Sequence, residues 1–115
     1  MLDNELAECQ KILTALKKNF NSYPFLEPVD PVKTGASDYY DVIKEPMDFS
    51  LIEQNLKTGV YESMGQFHAD VNKIWINSYT YNNVNSRIYK MTVDLEKYYK
   101  KLLRKDDKKA GKHEN

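Results

Sequence analysis

The sequence predicts an all-α fold: an antiparallel four-helix bundle with a long loop between the first and second main helices. Three observations carry that prediction. Apolar residues recur at steps of three and four over several stretches, the spacing that places them on one helix face. Period-two alternation, the mark of a half-buried strand, is absent over any useful length. All four prolines, Pro24, Pro28, Pro31 and Pro46, fall between residues 24 and 46. Each removes a backbone donor and restrains its predecessor, so no helix runs through that segment.

The first helix spans residue 2 to about residue 20, where Leu2, Leu6, Cys9, Ile12, Leu13, Leu16 and Phe20 share one face. Cys9 lies on that stripe and reads as a core residue in preference to a reactive thiol. Residues 21–47 show no sustained period. A loop of this length in a compact domain is uncommon and usually functional. Tyr23, Phe25, Val29, Tyr39, Tyr40, Val42 and Ile43 give it too much apolar surface for a solvated linker. It is expected to pack on the bundle as a wall, with a short helical turn near Ser37 to Val42.

"MDFSLIEQNLKTGVY" restarts a helix, capped by Asp48 or by the Ser50–Glu53 pair, with Leu51, Ile52 and Leu56 inward and Gly59 at its end. "SMGQFHADVNKIWINSYTY" opens with Ser63 three residues before Gln66, a capping-box spacing. Phe67, Val71, Ile74, Trp75, Ser78 and Tyr81 form its stripe, and His68 and Asp70 beside it are expected to face solvent. Asn82, Asn83 and Asn85 then mark a turn, since asparagine tolerates unusual backbone angles. Ile88, Met91, Leu95, Tyr98 and Leu102 form a last seam suited to antiparallel packing. Residues 1–104 read as one domain. The pattern is lost beyond about Arg104, so residues 105–115 read as a basic, flexible C-terminal tail.

A length of 115 residues fits a single domain with one core. The formal net charge is zero, which gives no global argument for nucleic acid or membrane binding. No apolar run approaches a membrane span. One cysteine excludes an internal disulfide and fits a reducing compartment. The charge is nevertheless polarised. The loop carries Glu27, Asp30, Asp38, Asp41, Glu45 and Asp48 against Lys33 and Lys44, while the C-terminal end is rich in lysine from Lys97 to Lys112. That end reads as a solvated helix face and tail; the alternative is weak, non-specific contact with DNA phosphates.

Enzyme signatures are missing. The glycines are isolated, so there is no phosphate loop. His68 and His113 lie far apart, and with one cysteine no metal-ligand spacing exists. No nucleophile–base pair is indicated. The sequence therefore predicts no catalytic residues, no metal and no cofactor. In an up-down-up-down bundle the loops after helices one and three emerge at the same end. An apolar niche between them, with an asparagine amide and tyrosine hydroxyls at its floor, suits a neutral, carbonyl-containing ligand.

The stretches "YPFLEPVDPVKTGASDYYDVIKEPMDFSLIEQNL" and "YESMGQFHADVNKIWINSYTYNN" resemble a bromodomain, the acetyl-lysine-binding module of chromatin proteins. The resemblance covers roughly residues 5–103. It rests on the aromatic-Pro-Phe start of the loop, the Pro-Val-Asp step, Asp38-Tyr39-Tyr40, Ile43-Lys44-x-Pro46-Met47-Asp48, Phe67-x-x-Asp70-Val71, and Asn77 followed by Tyr81-Asn82. Within the family the loop is most similar to the bromodomain and extra-terminal type.

The resemblance implies a left-handed antiparallel four-helix bundle that reads acetylated histone tails, in the nucleus, as a monomer with no membrane partner. It implies that Asn82 donates its side-chain amide to the acetyl carbonyl and that Tyr39 reaches the same oxygen through a water. Tyr23, Pro24 and Phe25 would form the shelf, Val29 the apolar wall, Tyr81 the pocket side and Ile88 the gatekeeper. Asn83 and Asn85 would be turn and helix-cap residues. The chain departs from the pattern where Tyr23 replaces the usual tryptophan and where Thr34 and Ala36 replace larger aliphatics, predicting a wider, wetter outer pocket. Ser78 stands where cysteine is frequent, and Val84 follows Asn83 in place of proline, predicting a looser turn. The competing readings are a helical protein–protein interaction domain without acetyl dependence, and the reader module of a larger acetyltransferase or remodeller.

Overall fold

The computed structural model describes residues 1–114, with side chains described as far as Lys105. In chain order they form α1 (Asp3–Lys18), a 3-10 helix (Phe20–Phe25), the single-turn helices α2 (Pro31–Thr34) and α3 (Tyr39–Val42), then α4 (Phe49–Lys57), α5 (Met64–Tyr81) and α6 (Arg87–Glu114). No strand occurs among the described residues. The fold is all-α, and α1, α4, α5 and α6 are the four helices of the bundle. α1 packs on the other three, and α5 packs on both α4 and α6. The expected tail, residues 105–115, lies almost wholly outside the residues with described side chains.

Local chemistry sets the helix starts. Glu5 accepts from the Leu2 backbone N–H at 3.0 Å. Asp48, not the Ser50–Glu53 pair, caps α4: its carboxylate accepts from Leu51 N–H at 3.2 Å and from the Ser50 hydroxyl. Glu53 is engaged elsewhere, with Lys17 of α1 at 3.1 Å. Ser63 accepts from Gln66 N–H at 3.4 Å, while the Gln66 side chain accepts from Glu62 N–H at 2.7 Å. α6 is capped by Ser86, which accepts from Tyr89 N–H at 3.2 Å, so Asn85 is not the cap. Gly59, at φ +74°, provides the left-handed step that follows α4.

Trp75 is the centre of the core. It meets Phe25 of the 3-10 helix and Phe49 of α4 edge-on, each at 6.3 Å between ring centroids, and Tyr99 of α6 at 5.9 Å. Cys9, Leu16, Ile52, Phe67, Val71 and Leu95 are sealed around this node. Burying a side chain of this size contributes about 1.5–3 kcal/mol. Cys9 is core, and burial, helped by Glu5 and Glu8, pushes its thiol up to about 11.

Several expected core positions lie outside. Leu2, which precedes α1, and Phe20, which follows its end at Lys18, are 67% and 75% exposed. Leu51 faces solvent and Phe49 takes the inward place in α4. In α6 the buried face is Thr92, Leu95 and Tyr99, whereas Ile88 is 38% exposed. Ile88 shares the helix face of Thr92 and Leu95 but stands in the first turn of α6, whereas Tyr98 and Leu102 of the expected seam pack against the core. His68 and Asp70 are half-buried, not solvent facing. His68 Nδ1 lies 2.5 Å from the Tyr99 hydroxyl, and Asp70 accepts from the Tyr61 hydroxyl at 2.6 Å.

Candidate functional site

The long loop is held by short local structures and by side chains of α5. Asp30 caps α2, accepting from the N–H groups of Val32 and Lys33 at 3.1 and 3.2 Å. Gly35 closes that turn at φ +74°. The Tyr40 hydroxyl donates to the Val29 carbonyl at 2.5 Å, tying the two limbs of the loop together. Two further bonds fasten the loop to α5: Tyr81 OH donates to Asp38 at 2.6 Å, and Asn77 Nδ2 donates to the Glu45 carbonyl at 2.9 Å. The loop after α1 and the turn after α5 thus meet at one end of the bundle.

At that junction Tyr39 is buried, its ring 4.9 Å from Tyr81 and 5.3 Å from Tyr40, both edge-on. Burial, then the neighbouring Tyr40 and Tyr81, hold its phenol above the ordinary value of 10.0, so it stays a neutral donor. The bond to Asp38 does the same for Tyr81. Asn82, next in the chain, ends α5 in extended geometry, its backbone N–H on the Ser78 carbonyl. Its side-chain Nδ2 donates to Ser78 Oγ at 3.1 Å. Tyr39, Tyr81 and Asn82 are therefore brought to one place.

The other expected site residues divide. Phe25 is buried against Trp75, so it closes the core, while Pro24, Val29 and Ala36 are half-buried. Tyr23 is 79% exposed. Thr34 is exposed, and its hydroxyl turns back to the Asp30 carbonyl at 2.8 Å. Ile88 is partly exposed in the first turn of α6. The turn itself is tied through Asn83, whose side chain accepts from Asn85 N–H at 2.8 Å and whose carbonyl accepts from Ser86 N–H at 2.9 Å. Of the acidic loop residues, Asp48 is buried as a cap; Glu27, Asp41 and Glu45 remain exposed.

Sequence reasoning missed Asp38 as the partner of Tyr81, and missed Thr92. The signal for Thr92 was a hydroxyl residue one step off an apolar seam. It is fully buried and meets Ser78 at 2.5 Å. Among the described residues no group of three His, Cys, Asp or Glu side chains could hold a metal ion. A shallow groove of about 500 Å³ lies elsewhere, on α1 and Tyr98, lined by Gln10, Lys11, Thr14 and Lys18. Its lysines repel a basic peptide. The loop end carries different chemistry: the Asn82 amide, the phenols of Tyr39 and Tyr81, and exposed carboxylates at Glu27, Asp41 and Glu45.

Comparison with known proteins bears on the family and the fold. The Bromodomain family model matches residues 9–94. The nucleosome-remodeling factor subunit NURF301 of Drosophila melanogaster is 36% identical over 99 residues, 86% of this chain and 4% of that protein. The SWR1 complex bromodomain subunit bdf1 of Schizosaccharomyces pombe is 36% identical over 101 residues, 85% of this chain and 18% of its own length. The chain thus spans less than a fifth of these relatives. The second bromodomain of Candida albicans Bdf1, solved with a bound imidazopyridine, superposes with a TM-score of 0.86 at 30% identity, covering 89% of this chain and 99% of that one. The chain belongs to the bromodomain family, the non-catalytic acetyl-lysine readers of chromatin and transcription proteins.

Proposed function

We propose that the cleft between the long loop and the α5–α6 turn reads acetylated lysines of histone tails, with Asn82 as the residue that bonds the acetyl carbonyl. The observation that supports this most is the position of the Asn82 amide. One N–H is spent on Ser78, and the buried Tyr39 packs on the adjacent Tyr81. Tyr39 contributes a neutral hydroxyl through a bridging water, an arrangement nearly as favourable as a direct bond. Tyr23, Pro24, Phe25, Val29, Thr34, Ala36, Tyr81 and Ile88 flank the ligand.

Discrimination follows from charge. An unmodified lysine brings a hydrated ammonium, and burying it unpaired costs several kcal/mol. An amide N–H also repels a cation. Acetylation removes the charge, adds a methyl group and supplies an acceptor. One net hydrogen bond contributes only about 0.5–1.5 kcal/mol, so selectivity comes mainly from rejecting the charged form. Single marks are bound weakly, and the exposed Glu27, Asp41 and Glu45 favour Lys/Arg-rich tails. The module acts as a monomer in the nucleus; the basic end of α6 adds at most weak, salt-dependent contact with DNA. Asn82→Ala tests the reading: it retains the helical circular dichroism of the parent and loses calorimetric binding to acetylated histone peptides. Equal affinity of variant and parent removes Asn82 from the mechanism.

A further inference from the structure

We infer that Ser78 and Thr92 are positioning residues that fix which face of the Asn82 amide meets the ligand, an inference that rests on Asn82 reading the acetyl group. Three bonds run in sequence beneath the site. Asn82 Nδ2 donates to Ser78 Oγ at 3.1 Å, Ser78 Oγ lies 2.5 Å from Thr92 Oγ1, and Thr92 Oγ1 donates to the Ile88 carbonyl at 2.8 Å. Asn82 is the residue that ends α5, one helical turn after Ser78, with its backbone N–H on the Ser78 carbonyl. Thr92 answers from α6 and bonds back one turn to Ile88, as helical threonines do. Ser78 is 5% exposed and Thr92 fully enclosed.

Counting protons gives the chain a direction. Thr92 has one hydroxyl proton, and a carbonyl can only accept, so that proton goes to Ile88. Two hydroxyl oxygens at 2.5 Å need a proton between them, and only that of Ser78 remains. Ser78 therefore faces Asn82 with lone pairs alone. The amide must turn its N–H side inward, because a flipped amide would set its own oxygen against an oxygen without a proton. The second N–H is left for an acceptor, which an acetyl carbonyl is and an ammonium is not. The carbonyl of Ile88, on α6, thus sets the orientation of the side chain that caps α5.

Thr92→Val keeps the shape and removes the acceptor of Ser78. The Ser78 proton becomes free to meet the Asn82 oxygen, and the amide is no longer held one way. The expected result is a loss of acetyl-peptide affinity of about threefold to tenfold, the range of one hydrogen bond. Thr92→Ser keeps the hydroxyl and the parent affinity. Ser78→Ala removes the acceptor of the amide itself and behaves as Thr92→Val, which serves should the valine variant fail to fold. The decisive readout needs no ligand: the side-chain carboxamide resonances of Asn82, assigned by their disappearance in Asn82→Ala. They move in Thr92→Val and Ser78→Ala and return to the parent position in Thr92→Ser. Unmoved carboxamide resonances overturn the relay, even if affinity falls, because packing alone would then be responsible. A parent that binds no acetylated peptide while its carboxamide still responds to Thr92→Val retires Asn82 as reader and keeps the relay.

Discussion

Replacing Tyr39 by phenylalanine removes one oxygen from the proposed site and leaves the ring. The ring is what the fold uses: it is 8% exposed and meets Tyr81 and Tyr40 edge-on at 4.9 and 5.3 Å. Those contacts survive in Tyr39→Phe, so the loop keeps its place and the midpoint of thermal unfolding stays near that of the parent. Affinity for an acetylated peptide loses one water-mediated hydrogen bond. The net value of such a bond is about 1 kcal/mol, which corresponds to a factor of about five in Kd. Tyr39→Ala, which also removes the ring, lowers both affinity and stability. Isothermal calorimetry of the two variants, with a denaturation curve for each, separates the hydroxyl from the ring. A loss in Tyr39→Phe as large as in Asn82→Ala would refute the indirect role, and an unchanged affinity would refute any role of the hydroxyl.

Asp48→Ala removes the cap of α4 and a buried acceptor for Leu51 N–H and the Ser50 hydroxyl. It is expected to cost about 1–2 kcal/mol in urea unfolding, and an unchanged midpoint contradicts the capping role. His68, half-buried between Phe67 and Tyr99, is held by burial below its ordinary value of 6.5. The unfolded chain therefore binds the proton more readily. This contribution to stability is complete above the unfolded value and is lost as pH falls through the folded one. Parent stability should drop more than that of His68→Gln between about pH 7 and pH 5; parallel profiles contradict the assignment.

The parts of the fold legible in sequence are those where period and cap agree. The α5 stripe from Phe67 to Ser78 and the Ser63 cap were readable because both follow local rules. The loop's helical content was only partly readable: the turn at Tyr39–Val42 was expected, but the 3-10 helix and α2 are too short to show a period. The seam of α6 was partly legible: Leu95 is buried and Tyr98 and Leu102 pack on the core, but Thr92 and Tyr99 were not expected there, because neither a threonine nor a tyrosine signals burial by its type alone. His68 and Asp70 looked solvent facing because their partners, Tyr99 and Tyr61, lie 31 and 9 residues away. In the site, Asn82 and Tyr39 stand out through the company they keep in sequence. Asp38 as the anchor of Tyr81, and Thr92 beneath Asn82, become visible only when α5, α6 and the loop are brought together.

The proposed cleft should admit a neutral acetylated side chain and turn away its cationic precursor. One comparison addresses this directly: calorimetry of the parent domain, at fixed salt, with a Lys/Arg-rich histone tail peptide carrying one acetyl-lysine and with the same peptide unmodified. Measurable, weak binding of the acetylated peptide is expected. The unmodified peptide should be weaker by about 3 kcal/mol, roughly 150-fold, the cost of desolvating an unpaired ammonium. Equal binding of the two peptides would contradict the proposal.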